Sequence, residues 1–226
     1  MLAGLAQPAA ADDVQLWASA VTQGPIGASW AVRPTAATVR PLAVVEVQQR
    51  LTQDLSRPTL SLARFGIGAR LAQDVSAFAG YHFQHAYPVG RTATTEHRLW
   101  QQLAFPVHAD PGRVLVGVRL RLEQRWIAGA DDMGWRARAM LRIQVPMASV
   151  GNAVPVIWSE ALLPLDDTDW GQRRSARQFR HFVGAALPLD RRFGVEAGYM
   201  LRTDALPTGT RKAHVANIQL NYRFGD

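Results

Sequence analysis

Arg113-Val114-Leu115-Val116-Gly117-Val118-Arg119-Leu120-Arg121-Leu122-Glu123-Gln124-Arg125 decides the architecture. Val114, Val116, Val118, Leu120 and Leu122 share one parity, and Arg113, Arg119, Arg121, Glu123 and Arg125 share the other. Side chains of a strand alternate between its faces, so this is a ribbon with an oily side and an ionic side. A soluble sheet rarely lines its covered face with four arginines and a glutamate. A transmembrane barrel with a polar lumen does so routinely.

The same alternation extends in both directions. Residues 41–51 set Ala43, Val45, Val47 and Leu51 against Val44, Glu46, Gln48 and Arg50. Residues 59–71 set Ala63, Phe65, Ile67, Ala69 and Leu71 against Arg64, Gly66, Gly68 and Arg70. In residues 94–107, Leu99, Leu103, Phe105 and Val107 oppose Glu96, Arg98, Trp100 and Gln102. Residues 133–145 place Arg136, Arg138, Arg142 and Gln144 on one side, and residues 192–203 do the same with Glu196 and Arg202. The last strand, residues 212–224, opposes Ile218, Leu220, Tyr222 and Phe224 to Asn217, Gln219, Asn221 and Arg223. With shorter strands at residues 13–21, 28–33, 75–84, 154–163 and 177–187, the reading is an all-β, antiparallel up-and-down transmembrane β-barrel of about 12 strands.

Links at residues 72–74, 108–112 and 188–191 are short, and those at 52–58, 85–93, 164–176 and 204–211 are longer. An even strand number then puts both termini on the short-turn side. Trp17, Trp30, Tyr81, Phe83, Trp126, Trp135, Trp158, Tyr222 and Phe224 lie near strand ends, as interfacial girdles require.

Composition narrows the setting. The 226 residues contain no cysteine, which excludes disulfides and thiol chemistry. No stretch approaches the ~18 apolar residues of a membrane helix, but a membrane strand needs about 9–11 alternating ones. Residues 1–11 are small and apolar and end in Ala9-Ala10-Ala11 before Asp12-Asp13, which is expected to be the remnant of a signal peptide. Residues 12–226 are the barrel domain, expected in the cell outer membrane and in contact with its lipid. The net charge of +7 comes from arginine, with one lysine, Lys212. Arginines at strand period among glutamates do not form a nucleic-acid patch.

The expected lumen-lining charges are Glu46, Arg50, Arg64, Arg70, Glu96, Arg98, Arg119, Arg121, Glu123, Arg125, Arg136, Arg138, Glu196, Arg202 and Arg223. In a narrow lumen these satisfy one another through bidentate bonds and form a closed, salt-bridged structural barrel, or they leave a channel or pocket for a small polar or anionic solute. A role as partner of an envelope protein complex stays open. A lipid-modifying enzyme is the weaker alternative, because none of His82, His85, His97, His108, His181 and His214 has a serine two residues away. No cofactor is expected. His82 and His85 fall on opposite faces and are poor co-ligands. Asp166-Asp167-Thr168-Asp169 supplies oxygen ligands for calcium, but without the glycine and distal glutamate of a calcium loop it reads as a solvated loop.

Several segments also resemble a known family. Glu96-His97-Arg98 with Gln101-Gln102, the run from Arg119 to Arg125, Arg136-Ala137-Arg138, Glu160 and Gly198-Tyr199-Met200 occur in that order. Together they are similar to the bacterial domain-of-unknown-function family 2490, regarded as outer-membrane β-barrels without an assigned activity. Ser159 and Phe179 depart from it, standing where the family often has asparagine. The resemblance covers nearly the whole chain after residue 11 and implies a barrel without supplying a reaction.

Overall fold

The computed structural model describes residues 13–32, 37–52, 55–71, 75–88, 90, 92–110, 113–147, 152–207 and 209–225; the signal remnant expected at residues 1–11 lies outside them. The strands in chain order are β1 (Asp13–Pro25), β2 (Trp30–Val32), β3 (Ala37–Thr52), β4 (Arg57–Arg70), β5 (Ser76–Ala86) and β6 (Thr94–Asp110). They continue with β7 (Val114–Ile127), β8 (Met133–Gln144), β9 (Val154–Pro164), β10 (Arg177–Pro188), β11 (Phe193–Leu206) and β12 (Gly209–Arg223). From β3 to β12 each strand pairs antiparallel with the next, a meander that short links make the cheapest topology.

Closure departs from the sequence reading. β1 pairs antiparallel with β3 (Leu16↔Leu51 to Pro25↔Leu42) and parallel with β12 (Asp13↔Ala213 to Gln23↔Arg223). β2 also pairs antiparallel with β3, further along at Trp30↔Val39 to Val32↔Ala37. β1 and β2 are therefore two pieces of one stave, interrupted at residues 26–29. The wall is a closed, mixed barrel of 11 strands. An up-and-down barrel with an odd number of staves must close on one parallel pair. The expected all-β barrel of about 12 strands is close to what is found; its even count and wholly antiparallel wall give way to 11 staves with one parallel pair.

The parity also moves the termini. Asp13 starts at the end that carries residues 128–132 and 165–176, and Phe224 leaves at the end that carries residues 189–192. They lie at opposite mouths, not on one side. In place of the long link expected at residues 204–211, β11 and β12 stay paired as far as Leu206↔Gly209, and Gly209 takes φ +132°, a backbone region that favours glycine.

The period-2 pattern runs along the staves, with register shifts at Arg50/Leu51 and Pro106/His108. Val45, Val47, Phe65, Ile67, Leu99, Leu120, Leu141, Ile157, Val183 and Ile218 are exposed on the outer wall, whereas Glu96, Arg98, Arg121, Glu123, Arg138, Glu160 and Glu196 are buried inside. Arg113 is the exception in the opening ribbon. It lies just before β7, with its side chain 83% exposed beside Asp110.

The interior also holds apolar packing. The Trp100 ring lies so close over Gly66 and Gly80 that an added Cβ would come within 2.5 and 2.7 Å of it. Phe182 covers Gly184 and Gly198 in the same way and stacks on Trp158 with centroids 5.1 Å apart. Trp17, Val156, Phe182, Met200, Ala213 and Val215 form one buried cluster inside the barrel, with Trp158 packed against it. Trp17, 3% exposed, and Trp158 are thus interior residues and not part of an outer girdle. The side chain of Trp30 lies outside the described residues.

Candidate functional site: an arginine-lined chamber

Three cavities follow one another along the barrel axis. The central one has a volume of about 450 Å3. It shares Arg125, Arg136, Gln178 and Arg202 with a cavity of about 380 Å3 at the mouth beside residues 170–173. It shares Arg142, Glu196 and Gln219 with one of about 470 Å3 at the opposite mouth.

Ten arginines and four glutamates line the central cavity. Of the residues expected there, Glu46, Arg50, Arg64, Glu96, Arg98, Arg119, Arg125, Arg136, Arg138, Glu196 and Arg202 do so. Arg121 and Glu123 are buried beside them. Arg70 and Arg223 are exposed at the ends of their strands, Arg223 against the cavity at its mouth. Four residues outside the expected set complete the site. Arg142 and Arg180 line the chamber, as do Glu160 and His82.

On the β6–β9 side, three carboxylates organise the arginines. Glu96 accepts from Arg98 Nε and Nη2, both at 2.7 Å, and from Arg125 Nε at 2.6 Å. Glu123 accepts from Arg136 and from Arg138 Nη1 at 2.8 Å. Glu160 accepts from Arg138 at 2.7 and 2.8 Å and from Arg119 at 3.0 Å, and Arg180 Nη1 stands 3.5 Å away. Arg138 thereby bridges two glutamates, and each carboxylate serves at least two guanidiniums. Such charge-assisted, forked bonds are what make a buried charge tolerable. Arg142 reaches across to Glu196 on β11 at 2.5 and 3.1 Å.

On the β1, β3 and β10 side Glu46 accepts from Arg64, but Arg50 and Arg180 are held differently. Arg50 Nε donates to Gln48 Oε1 at 2.8 Å, and Arg180 Nε and Nη2 donate to Gln178 Oε1 at 3.0 and 2.6 Å. Among the described residues, no carboxylate lies within ion-pair distance of Arg50. Its guanidinium stacks 3.6 Å from the Trp17 ring, and that of Arg180 lies 5.0 Å from the same ring. His82 is buried between its cross-strand neighbours Arg64 and Arg98, and neither ring nitrogen has a bonding partner among the described residues.

Residues 165–176 close over one mouth. Trp135 N donates to Asp166, Arg174 N to Asp167, and Asp131 N and Asp132 N to Asp169 at 3.0 and 3.3 Å. The acidic run is solvent-exposed at Asp167 and Asp169, as expected of a loop, and its carboxylates accept from backbone amides that tie the loop down. The amide of Asp131 is the main reason why the Asp169 carboxyl is held below the ordinary carboxylate range. Gln172, 5% exposed, accepts from Arg125 Nη1 at 2.7 Å and ties the loop to the chamber. Among the described residues, no group of three or more histidine, aspartate or glutamate side chains converges as a metal site.

The outer wall carries polar groups in pairs. Ser159 Oγ and His181 Nδ1 are 2.8 Å apart, Tyr199 Oη and His214 Nδ1 2.7 Å, and His85 Nδ1 and Thr95 Oγ1 3.1 Å. Tyr81 bonds His97 in the same manner. Gln101 and Gln124 exchange bonds of 3.2 and 3.3 Å, and Ser61 bonds both Gln49 and Tyr87. Ser159 and His181 sit within nucleophile–base reach, a pairing that their 22-residue separation hid in the sequence. Among the described residues, no acidic or amide side chain bonds the other His181 nitrogen, the third part of such an arrangement.

A closed β-barrel with an apolar outside and buried arginine–glutamate bridges inside is the class that fold and site define. Within that class, the profile of the family described as "Protein of unknown function (DUF2490)" matches residues 14–213, and the chain belongs to this family. An uncharacterised protein of Methylorubrum extorquens is 30% identical over 183 residues, 79% of each chain. No solved structure matches the chain.

Proposed function

We propose that this protein is an outer-membrane β-barrel whose interior is a chamber that binds a small anionic solute. The chamber's ten arginines against four glutamates carry the reading. Clustered guanidiniums in excess of carboxylates favour an anionic occupant. The outer wall supports the membrane part. Hydroxyl, imidazole and amide groups exposed to water have no need of one another, whereas in hydrocarbon an unsatisfied polar group costs several kcal/mol, on the order of a lost hydrogen bond or more. Pairing on that wall is what an apolar surround selects. Ties such as Arg142–Glu196 and Arg125–Gln172 cross the lumen, which favours a binding chamber over an open pore.

The test is reconstitution of the purified chain in planar bilayers, with thermal unfolding followed in parallel. The expected result is insertion without steady ionic conductance, and a melting temperature that rises with the logarithm of inorganic phosphate concentration at fixed ionic strength. Steady anion-selective steps would replace the chamber by a pore. A melting temperature indifferent to phosphate would remove the anion.

A further inference from the structure

Resting on that reading, the geometry points to Arg50, Arg180 and Trp17 as the place where the occupant's charge is held, and to an organic phosphate with a flat apolar group as the occupant. The arginines of the chamber are not equivalent. Arg98, Arg119, Arg125, Arg136 and Arg138 on β6–β8 are spent on Glu96, Glu123 and Glu160, Arg142 on Glu196, and Arg121, outside the cavity lining, on Gln102 with Glu123 3.6 Å away. Arg50 instead bonds Gln48, and Arg180 bonds Gln178 and keeps only a long 3.5 Å contact to Glu160; each glutamine stands two residues before its arginine on the same strand. A glutamine oxygen fixes the plane of a guanidinium without cancelling its charge. Arg50 has no carboxylate partner among the described residues, and the charges acting on it most strongly are those of Arg180 and Arg202. Like charges brought together and held in fixed planes repel until an anion enters. A phosphate head, with three acceptor oxygens, can take bonds from both forks at once.

The wall beside these arginines is apolar. Trp17, Trp158 and Met200 line the same central cavity, and Trp17 presents its ring to both guanidiniums. Inorganic phosphate would leave that wall unused; an organic phosphate covers it. The barrel also offers a way in. The cavity at the mouth shares Gln178 and Arg202 with the chamber and is lined further by Arg173, Arg177 and Arg211, a basic vestibule that draws anions towards Arg180.

The experiment uses the full chain, folded in detergent micelles, with phenyl phosphate and inorganic phosphate titrated separately against tryptophan fluorescence. Phenyl phosphate is expected to bind at least about tenfold more tightly than inorganic phosphate, because a buried ring contributes about that much. Arg50→Gln and Arg180→Gln should each weaken phenyl phosphate about tenfold or more, the scale of a lost charge-assisted bond. Arg113→Gln, in an exposed turn, should leave it unchanged. Where Arg50→Gln does not fold, Arg50→Lys keeps the charge, loses the planar fork and should weaken binding severalfold. Equal affinities for the two phosphates, or an Arg50 variant that binds as the wild type does, would overturn this assignment and leave the anion chamber standing. Binding of neither anion would remove the chamber as well.

Discussion

The two sides of the chamber solve one problem in opposite ways. On β6–β9, Glu96, Glu123 and Glu160 each gather two or more arginines, so charge is neutralised where it is buried. On β1, β3 and β10, Arg50 and Arg180 are held by glutamines beside Trp17; Arg50 meets no carboxylate among the described residues and Arg180 only Glu160 at 3.5 Å, so charge is fixed in place and largely kept. The first arrangement builds a wall, and the second keeps a cation available. The difference teaches that counting inward arginines does not locate a binding site; what each arginine's partner does to its charge does.

The comparison breaks most visibly at Glu123, which is 1% exposed. Glu123→Ala leaves Arg136 and Arg138 facing an empty position and should destabilise the barrel by about 3–5 kcal/mol. The outward Val118→Ala should cost less than about 1 kcal/mol, and Arg50→Gln, which also relieves repulsion, should stay within about 1 kcal/mol of wild type. Heat-modified mobility on gels, read as the temperature of half conversion, checks the order. Similar losses for Glu123→Ala and Arg50→Gln would erase the distinction between the two sides.

A smaller effect sharpens what the sides share. Each has an aromatic ring laid on glycines, Trp100 on Gly66 and Gly80, Phe182 on Gly184 and Gly198. Gly66→Ala and Gly184→Ala should each cost about 1–3 kcal/mol through forced displacement of a ring. The same gel assay reads them, and a neutral result at either glycine would show that the ring on that side has room to move.

The smallest effect lies at the mouth. Asp169 is fully exposed, and backbone amides hold its carboxyl below the ordinary range. A carboxylate with a lowered folded-state pKa stabilises above its unfolded value, and that contribution disappears as pH falls through the folded one. Protection factors of the amides at residues 131, 132 and 170, which correct for intrinsic exchange, should therefore fall on acidification in the wild type. Asp169→Asn should exchange faster at neutral pH and respond less to acid.

Much of this was legible in the sequence. Period-2 alternation in residues 59–71, 94–107 and 113–125 placed the staves and most of the chamber's charges, because a strand's geometry converts parity directly into face. What failed depended on contacts between distant residues. Trp17 and Trp158 share parity with the ionic faces of their own strands, yet aromatic type suggested a girdle; only the neighbouring Phe182, Met200 and Val215 reveal an apolar half inside. Gly24-Pro25 and Gly27 punctuate the chain and split one stave into two apparent strands, and pairing with β3 is what rejoins them. That single miscount produced the wrong parity and the wrong side for a terminus. Ser159 with His181, and Asp169 with the amides of Asp131 and Asp132, are cross-strand or cross-loop partners that no local pattern announces.

The parallel seam between β1 and β12 has a consequence for how the chain can be cut and rejoined. In a barrel whose ends share a mouth, a few residues suffice to link them, and new termini can be opened at any turn. Here Asp13 and Phe224 stand at opposite mouths, separated by the height of the wall, on the order of 30 Å at about 3.3 Å per strand residue. A covalent bridge must run down the chamber, displacing whatever it holds, or along the apolar outside with an unpaired backbone. The odd number of staves therefore makes joining the start of β1 to the end of β12 a span of the whole wall instead of a short turn.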